Sequence, residues 1–245
     1  MDGFGFWALA VAASMFVGMS KGGLPVVGMM SVPLLSLVIS PVTAAGLLLP
    51  IYVISDLFGL YAYRREYDAR VLKILIPAST VGIFLGWLTA SAVSEEVVGG
   101  LVGLLGAAFA ANLLLRRSDP PARVAKVTPG MFWGAATGFT SFVSHAGAPP
   151  YQVYVMPLKM AKSVFAGTST ILFAWINAVK LIPYAALGQL SAENLKVAAW
   201  LMLPAALAVL AGYRLVRVLP QALFFRLVTW ALLLVSLRLI WQAVA

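Results

Sequence analysis

Long apolar stretches, separated by short clusters of charge, proline or glycine, run along the whole 245-residue chain. Six of these stretches are long: 41–62, 71–92, 96–115, 163–186, 195–213 and 221–244. About 20 apolar residues in a helix cross a hydrocarbon core of roughly 30 Å. The pattern therefore predicts six membrane-spanning helices.

Four shorter apolar stretches form two pairs, 4–19 with 24–38 and 129–144 with 148–158. A polar, glycine- and proline-containing segment separates the members of each pair. We call residues 20–25 (SKGGLP) the first tip and residues 144–150 (SHAGAPP) the second tip. Short, interrupted apolar segments at matching places in two halves of a chain point to the binding site of a transporter. Each pair is predicted to be a hairpin that enters and leaves on one side of the membrane.

The two halves of the chain match each other at these tips. A shift of 124 residues aligns Ser20 with Ser144, Lys21 with His145, Gly23 with Gly147 and Pro25 with Pro149. Further along, a shift of 121 aligns Asp56 with Asn177, and a shift of 126 aligns Gly86 with Gly212. Three full crossings per half is an odd number, so the second half is expected to be inverted. The predicted fold is an all-α polytopic membrane protein of two inverted repeats, each a short broken-helix hairpin plus three transmembrane helices. Residues 1–117 form the first repeat, 118–128 a cytoplasmic linker and 129–245 the second repeat.

The distribution of lysine and arginine predicts the orientation, because loops rich in these residues stay in the cytoplasm. Basic residues collect in four connections: Arg64, Arg65, Arg70 and Lys73; Arg116, Arg117, Arg123 and Lys126; Lys159 and Lys162; Arg214 and Arg217. The other connections carry Glu95 and Glu96, or Glu193 with Lys196. Both termini are then expected outside, with the first hairpin opening outward and the second inward.

Composition narrows the chemistry. The chain is 62% hydrophobic and only 10% charged, with no cysteine and one histidine. These counts exclude disulfides, iron–sulfur clusters and paired-histidine haem sites, so neither a cofactor nor a metal is expected. In so apolar a chain the net charge of +9 is interpreted as a topology signal. The expected surroundings are lipid bilayer, and no nucleic-acid partner is expected.

The tips carry the residues that could hold an anion. Glycine brings backbone N–H groups close to a ligand, and proline can begin a half-helix whose N-terminus attracts negative charge. Lys21 adds a full positive charge; the alternative is that it reaches to the membrane surface. His145 could donate to an anion or respond to pH, or it could simply pack inside the bundle. We predict that substrate binds at the membrane midplane between the tips, through Ser20, Lys21, Gly22, Gly23, Ser144, His145, Gly147, Asn177 and Lys180.

Two residues on long helices have several interpretations. Asp56 is a candidate carrier of a proton or cation, a counter-ion of Lys21, or a residue near the cytoplasmic interface. Together with His145 it is the candidate for proton or ion coupling. Lys180 lines the anion path or extends to the outer surface. Alternative functions are an intramembrane enzyme or accessory protein using Ser141 or Ser144 with His145, or transport of another small anion or of a cation bound by Asp56.

Several motifs together resemble the TauE/SafE (sulfite exporter) family of membrane anion permeases. In the first half these are GMSKGGLP (18–25), VPLL (32–35) and AAG (44–46); in the second, GFTS (138–141), MPL (156–158) and AGTST (166–170). The resemblance implies a multi-pass inner-membrane permease, not an enzyme, that moves sulfite, organosulfonates or related small anions, often outward. Ser20-Lys21 stands where a run of glycines is expected, and His145 is a second departure, so the exact substrate stays open. Direction, coupling ion and oligomeric state, including a homodimer, also stay open.

Overall fold

The computed structural model describes residues 3–89, 94–115, 121–143, 145–188, 190 and 192–244, without the side chains of 41, 42, 95, 192 and 193. Over these residues the chain is helical and contains no strand. The helices are α1 (Phe4–Lys21), α2 (Pro25–Gly28), α3 (Ser31–Leu35), α4 (Pro41–Tyr63), α5 (Ala69–Thr89), α6 (Glu95–Leu115), α7 (Val127–Val143), α8 (Ala148–Val155), α9 (Lys162–Ala186), α10 (Ala192–Val218) and α11 (Gln221–Val244). A 3-10 turn, Met156–Leu158, follows α8. The prediction of an all-α polytopic membrane protein is confirmed.

The first helix is longer than predicted. It continues to Lys21 and has 18 residues, so it joins the six long helices as a segment able to cross a membrane. Within the described part of the chain, seven helices are long and apolar enough to do so. Lys21 is therefore the last residue of α1 rather than a residue of the loop.

The stretch 24–38, predicted as one half-helix, is divided into α2 and α3 around Met29 and Met30. The reason is Pro33, the third residue of α3. Proline has no N–H for the carbonyl four residues earlier, and its ring clashes with that carbonyl, so one continuous helix cannot pass from α2 into α3. Pro157 acts similarly after α8, where the helix gives way to the 3-10 turn.

The helices form two compact units. Unit 1 comprises Met1–Tyr67 and Ala166–Leu219, so it contains α1 to α4, most of α9, and α10. Its apolar core is built from α1, α3, α4 and α10. Gly18 of α1 packs on Ala205 of α10, and Gly22 packs on Gly212. Residue numbers increase along both helices from the first contact to the second, so α1 and α10 run parallel. The small residues let the two backbones approach closely.

Unit 2 comprises Asp68–Phe165 and Pro220–Ala245. Here α5 and α7 run parallel, with Gly130 against Ile74 and Gly138 against the Ser79 backbone. Helix α8 packs against α6 and α7, and α6 also packs against α11. Buried rings join α8 to the start of α9, since the Tyr151 and Phe165 ring centroids lie 6.0 Å apart.

Each unit combines helices from both predicted repeats. The pairing of α1 with α10 in unit 1 corresponds, under the sequence alignment, to that of α7 with α5 in unit 2. A repeat is a relation between sequences and need not be a compact unit, so the boundaries at 117 and 129 and the inverted orientation stay predictions. Ser144, Arg116, Arg117 and the first residues of the predicted linker lie outside the described residues.

Candidate functional site

A buried ion pair joins the first tip to α4. The Lys21 Nζ lies 2.8 Å from Asp56 Oδ1, and the two side chains are only 3% and 4% exposed. Of the interpretations of Asp56, the structure therefore shows the counter-ion of Lys21. Burial also argues against Lys21 extending to the membrane surface. A buried lysine of this kind requires a partner, because an isolated charge in a low-dielectric interior is costly.

Helix α9 completes the arrangement. Asn177, aligned with Asp56 in the repeat, donates from its Nδ2 to Asp56 Oδ2 over 2.8 Å. Lys180 follows one helical turn later, on the same face of α9 as Asn177, and is 2% exposed. We call Lys21, Asp56, Asn177 and Lys180 the lysine cluster. Four of the predicted site and coupling residues are thus brought together within unit 1.

Three further residues of this site were not predicted. The Lys21 ammonium lies 5.0 Å from the centroid of the Tyr52 ring, and Lys180 lies 5.5 Å from that of Tyr184, both within the range of cation–π attraction. The buried Ser31 hydroxyl lies beside the Tyr52 hydroxyl. A signal was present in the sequence: Tyr52 precedes Asp56, and Tyr184 follows Lys180, by the four residues that place side chains on one helix face.

The backbone of the first tip is occupied by its own hydrogen bonds. The N–H groups of Gly22, Gly23 and Leu24 donate to the carbonyls of Gly18, Ser20 and Met19, and the Gly22 carbonyl accepts a 2.6 Å bond from the Tyr63 hydroxyl. The Ser20 hydroxyl donates to Val17 in its own helix. Helix α2 has only four residues, so its dipole is small. Anion binding by Ser20, Gly22 and Gly23 therefore stays a prediction that requires the turn to open, and the donors in place are side chains.

The second tip belongs to unit 2. His145 is half-buried with a φ of 52°, and Gly147 is buried and precedes α8. The turn is closed by Thr140, whose carbonyl accepts from the Ala146 N–H over 3.1 Å and whose hydroxyl donates to the Ala146 carbonyl over 3.0 Å. Ser144 lies outside the described residues. The participation of Ser144, His145 and Gly147 in substrate binding stays a prediction.

The chemistry of the lysine cluster follows from its charges. Among the described side chains of unit 1, two lysines and one carboxylate are buried. A cation would meet two ammonium groups and a carboxylate already engaged by Lys21 and Asn177. An anion would reduce the repulsion between the lysines and accept hydrogen bonds from them, since an ammonium group offers three donors and no acceptor. The site is therefore suited to a small anion.

Comparison with known proteins agrees with this chemistry. The family model described as Sulfite exporter TauE/SafE matches residues 8–239, nearly the whole chain. No curated protein and no solved structure matches the chain. The family match, seven helices able to cross a membrane in the described residues and a buried cationic site agree on a multi-pass membrane protein of a transporter family. The chain belongs to the TauE/SafE sulfite exporter family.

Proposed function

We propose that this protein is a secondary transporter that exports small sulfur-containing oxyanions, such as sulfite or organosulfonates, across the inner membrane. The observation that carries the proposal is the pair of buried lysines, Lys21 and Lys180, with one buried carboxylate among the described side chains of unit 1. Sulfite and sulfonate groups present several acceptor oxygens around one centre, which suits two ammonium donors on different helices. The direction and the membrane are supported by the family alone, and a homodimer stays a prediction.

Asp56 is the proposed coupling residue. It shares Lys21 with the incoming anion, because its Oδ1 lies 2.8 Å from the Lys21 ammonium. An anion that takes over Lys21 leaves a buried carboxylate without its counter-ion, and such a group favours uptake of a proton. Transport would then be linked to proton movement, and a pH gradient across the membrane should drive it.

Lys180→Met is the most informative variant for testing the anion site. The purified protein is reconstituted in proteoliposomes, and the flux of radiolabelled sulfite is measured together with the thermal unfolding midpoint. Loss of one charge-assisted contact to the anion should lower the flux roughly tenfold or more. Lys180→Arg should keep part of the flux, and Lys196→Met, which removes an exposed lysine of unit 1, should leave it unchanged.

Two outcomes would contradict the proposal. Full sulfite and sulfonate flux in a correctly folded Lys180→Met variant would show that the anion does not bind at the lysine cluster. Wild-type protein that moves neither sulfite nor any sulfonate would exclude the substrate class. Coupling is tested separately, because Asp56→Asn should abolish the response to an imposed pH gradient.

The alternative functions have less support. A cation transporter would need Asp56 to be available, whereas its carboxylate binds Lys21 and Asn177. An enzyme built on serine and His145 would need a nucleophile in contact with the imidazole. Mutating Ser141 and Ser144 to alanine tests this, since an enzyme would lose its activity and the proposed transporter would keep its sulfite flux.

A further inference from the structure

Gln152 is a buried polar residue on α8. Its side chain is 0% exposed, and within the described part of the chain neither the amide nitrogen nor the amide oxygen has a hydrogen-bond partner. Leaving such a group unsatisfied costs free energy of folding. Groups of this kind in a folded protein call for an explanation, and a ligand-binding role is a common one.

The position of Gln152 directs this amide toward the second tip. It is the fifth residue of α8, which begins at Ala148, and helical side chains point back toward the N-terminus of their helix. None of the described side chains caps this N-terminus at Gly147. Pro149 and Pro150 have no N–H, so the first turn is poor in the backbone donors that usually bind an anion at a helix start. The amide of Gln152 supplies donors where the prolines have removed them.

A second unsatisfied group lies beside the same turn. Ser236 of α11 is 0% exposed, and none of the described residues forms a hydrogen bond with its hydroxyl. Gly106 separates it from α8: a Cβ added there would overlap with the Ser236 hydroxyl and lie 3.2 Å from Pro149 Cβ. Residues three apart share a helix face, so Gln152 is on the same side of α8 as Pro149. Two unpartnered polar side chains therefore border the start of α8.

Two tyrosines of α8 have contacts elsewhere in unit 2. Tyr151 packs its ring on Phe165, and the Tyr154 hydroxyl donates to the Lys126 carbonyl over 3.0 Å. Gln152 thus contributes to this short helix a buried amide whose nitrogen and oxygen both lack a hydrogen-bond partner among the described residues. A carboxamide offers two donors and a carbonyl acceptor. A matching ligand has acceptor oxygens and also a hydrogen to donate.

We infer that Gln152 binds the transported anion at the start of α8 and selects anions that carry a hydroxyl or other hydrogen-bond donor beside their acceptor oxygens. Hydrogensulfite and hydroxyl-bearing sulfonates meet this description, whereas simple alkanesulfonates lack the donor. The inference rests on the proposed function, since it assigns a ligand-selecting residue to the same transport. It concerns unit 2 and does not use the lysine cluster.

The test compares two sulfonates that differ only by one hydroxyl group, 2-hydroxyethanesulfonate and ethanesulfonate. Wild-type protein in proteoliposomes should transport the hydroxylated compound roughly tenfold more efficiently, the effect of one well-placed hydrogen bond. Gln152→Leu should bring the ratio close to one. Thr137→Val removes a buried hydroxyl of unit 2 that bonds Trp133 in its own helix, and it should leave the ratio at the wild-type value.

Stability provides a second readout. Removing a buried amide that has no partner should leave the ligand-free unfolding midpoint of Gln152→Leu unchanged or raise it, whereas a Gln152 needed for packing would lower it. A water molecule alone on this amide would predict no preference between the two sulfonates in the wild type, and that result overturns the inference.

The outcomes separate this inference from the proposed function. If Gln152→Leu keeps the preference for 2-hydroxyethanesulfonate while Lys180→Met still loses flux, the role of Gln152 is overturned and the proposed function stands. Wild-type protein that moves neither sulfonate nor sulfite overturns both. Collapse of the ratio in Gln152→Leu, with the unfolding midpoint kept, supports the inference.

Discussion

The two tips are aligned in sequence but differ in backbone and in charge. In the first tip the left-handed residue is Gly23, with a φ of 112°. In the second it is His145, with a φ of 52°, while Gly147, aligned with Gly23, has a φ of −74°. Pro25 begins α2, whereas the aligned Pro149 is the second residue of α8. The positive-φ residue thus lies two aligned positions earlier in the second tip, and α8 begins one aligned position earlier than α2. The two hairpins therefore present different groups.

The chemical consequence is a division of roles. The first tip presents an ammonium group that is held by Asp56 within unit 1. The second tip leads into a helix with two prolines in its first turn and an unsatisfied Gln152. The two aligned hairpins thus differ, since the first carries a charge and the second leads to a neutral amide. Each of the following changes tests one part of that contrast.

The largest expected effect comes from breaking the buried ion pair. Lys21→Met or Asp56→Asn leaves the other member buried without its counter-ion, which should lower the free energy of unfolding by about 3–5 kcal/mol. The double variant should recover most of this loss, because neutral side chains can replace a buried pair with little penalty. Denaturant titration of the purified protein measures all three variants.

His145→Gln is the matched control in the second tip. It should change the free energy of unfolding by less than about 1 kcal/mol, since His145 is half-buried and its loss leaves no described buried carboxylate without a counter-ion. Two results would contradict this difference between the tips. One is an equal loss of unfolding free energy in the Lys21 and His145 variants. The other is a Lys21→Met/Asp56→Asn double variant that is no more stable than the single variants.

The next effect concerns the left-handed positions. Gly23→Ala places a Cβ 2.6 Å from both Ala166 Cβ and the Tyr63 hydroxyl oxygen, at a backbone angle that alanine disfavours. We expect a loss of about 2–4 kcal/mol from strain and overpacking together. His145→Gly should be neutral or stabilising by up to about 1 kcal/mol, because glycine adopts positive φ without a steric penalty. Thermal unfolding of both variants measures the contrast, and a stable Gly23→Ala would show that the first tip is not constrained as described.

Much of the helical fold was predictable because the apolar segments are long and their interruptions are strong. Proline and charge clusters located the six long helices to within a few residues at most ends. The division of 24–38 into α2 and α3 depends on a single proline, Pro33, inside an otherwise apolar run. The extension of α1 to Lys21 depends on Asp56, more than 30 residues away, which makes burial of the lysine possible.

The site residues that the sequence repeat aligns could be predicted. Residues whose role depends on tertiary contacts could not. Alignment singled out Lys21, Asp56 and Asn177, and the structure brings them together. Asp56 and Asn177, which the sequence shift aligns, are joined by a hydrogen bond; the inverted arrangement of the two halves stays a prediction. Gln152 was missed because a single glutamine in an apolar stretch gives no indication of whether its amide is satisfied.

A smaller effect on the free energy of unfolding is expected from the hydroxyl groups that hydrogen-bond to the backbone of each tip. Tyr63→Phe removes the 2.6 Å bond to the Gly22 carbonyl, which should cost about 1 kcal/mol. It should also increase hydrogen exchange at the amides of Gly22 to Leu24. Thr140→Val removes the hydroxyl bond to the Ala146 carbonyl and should have a similar effect in the second tip. Exchange that rises at a distant helix rather than at the tip would argue against this local role.

The smallest effect is expected at the exposed ion pair of unit 1. Arg217 pairs with Glu66 and also donates to the Tyr213 hydroxyl over 2.8 Å, and its side chain is 49% exposed. Water and salt screen such a pair, so Glu66→Gln should cost less than about 1 kcal/mol and even less at high ionic strength. The buried pair of Lys21 and Asp56 should be insensitive to salt by comparison. Unfolding at low and high salt measures the free energy that Glu66→Gln loses. A large loss that salt does not reduce would mean that water does not reach this end of unit 1. Burial alone would then not distinguish the two ion pairs.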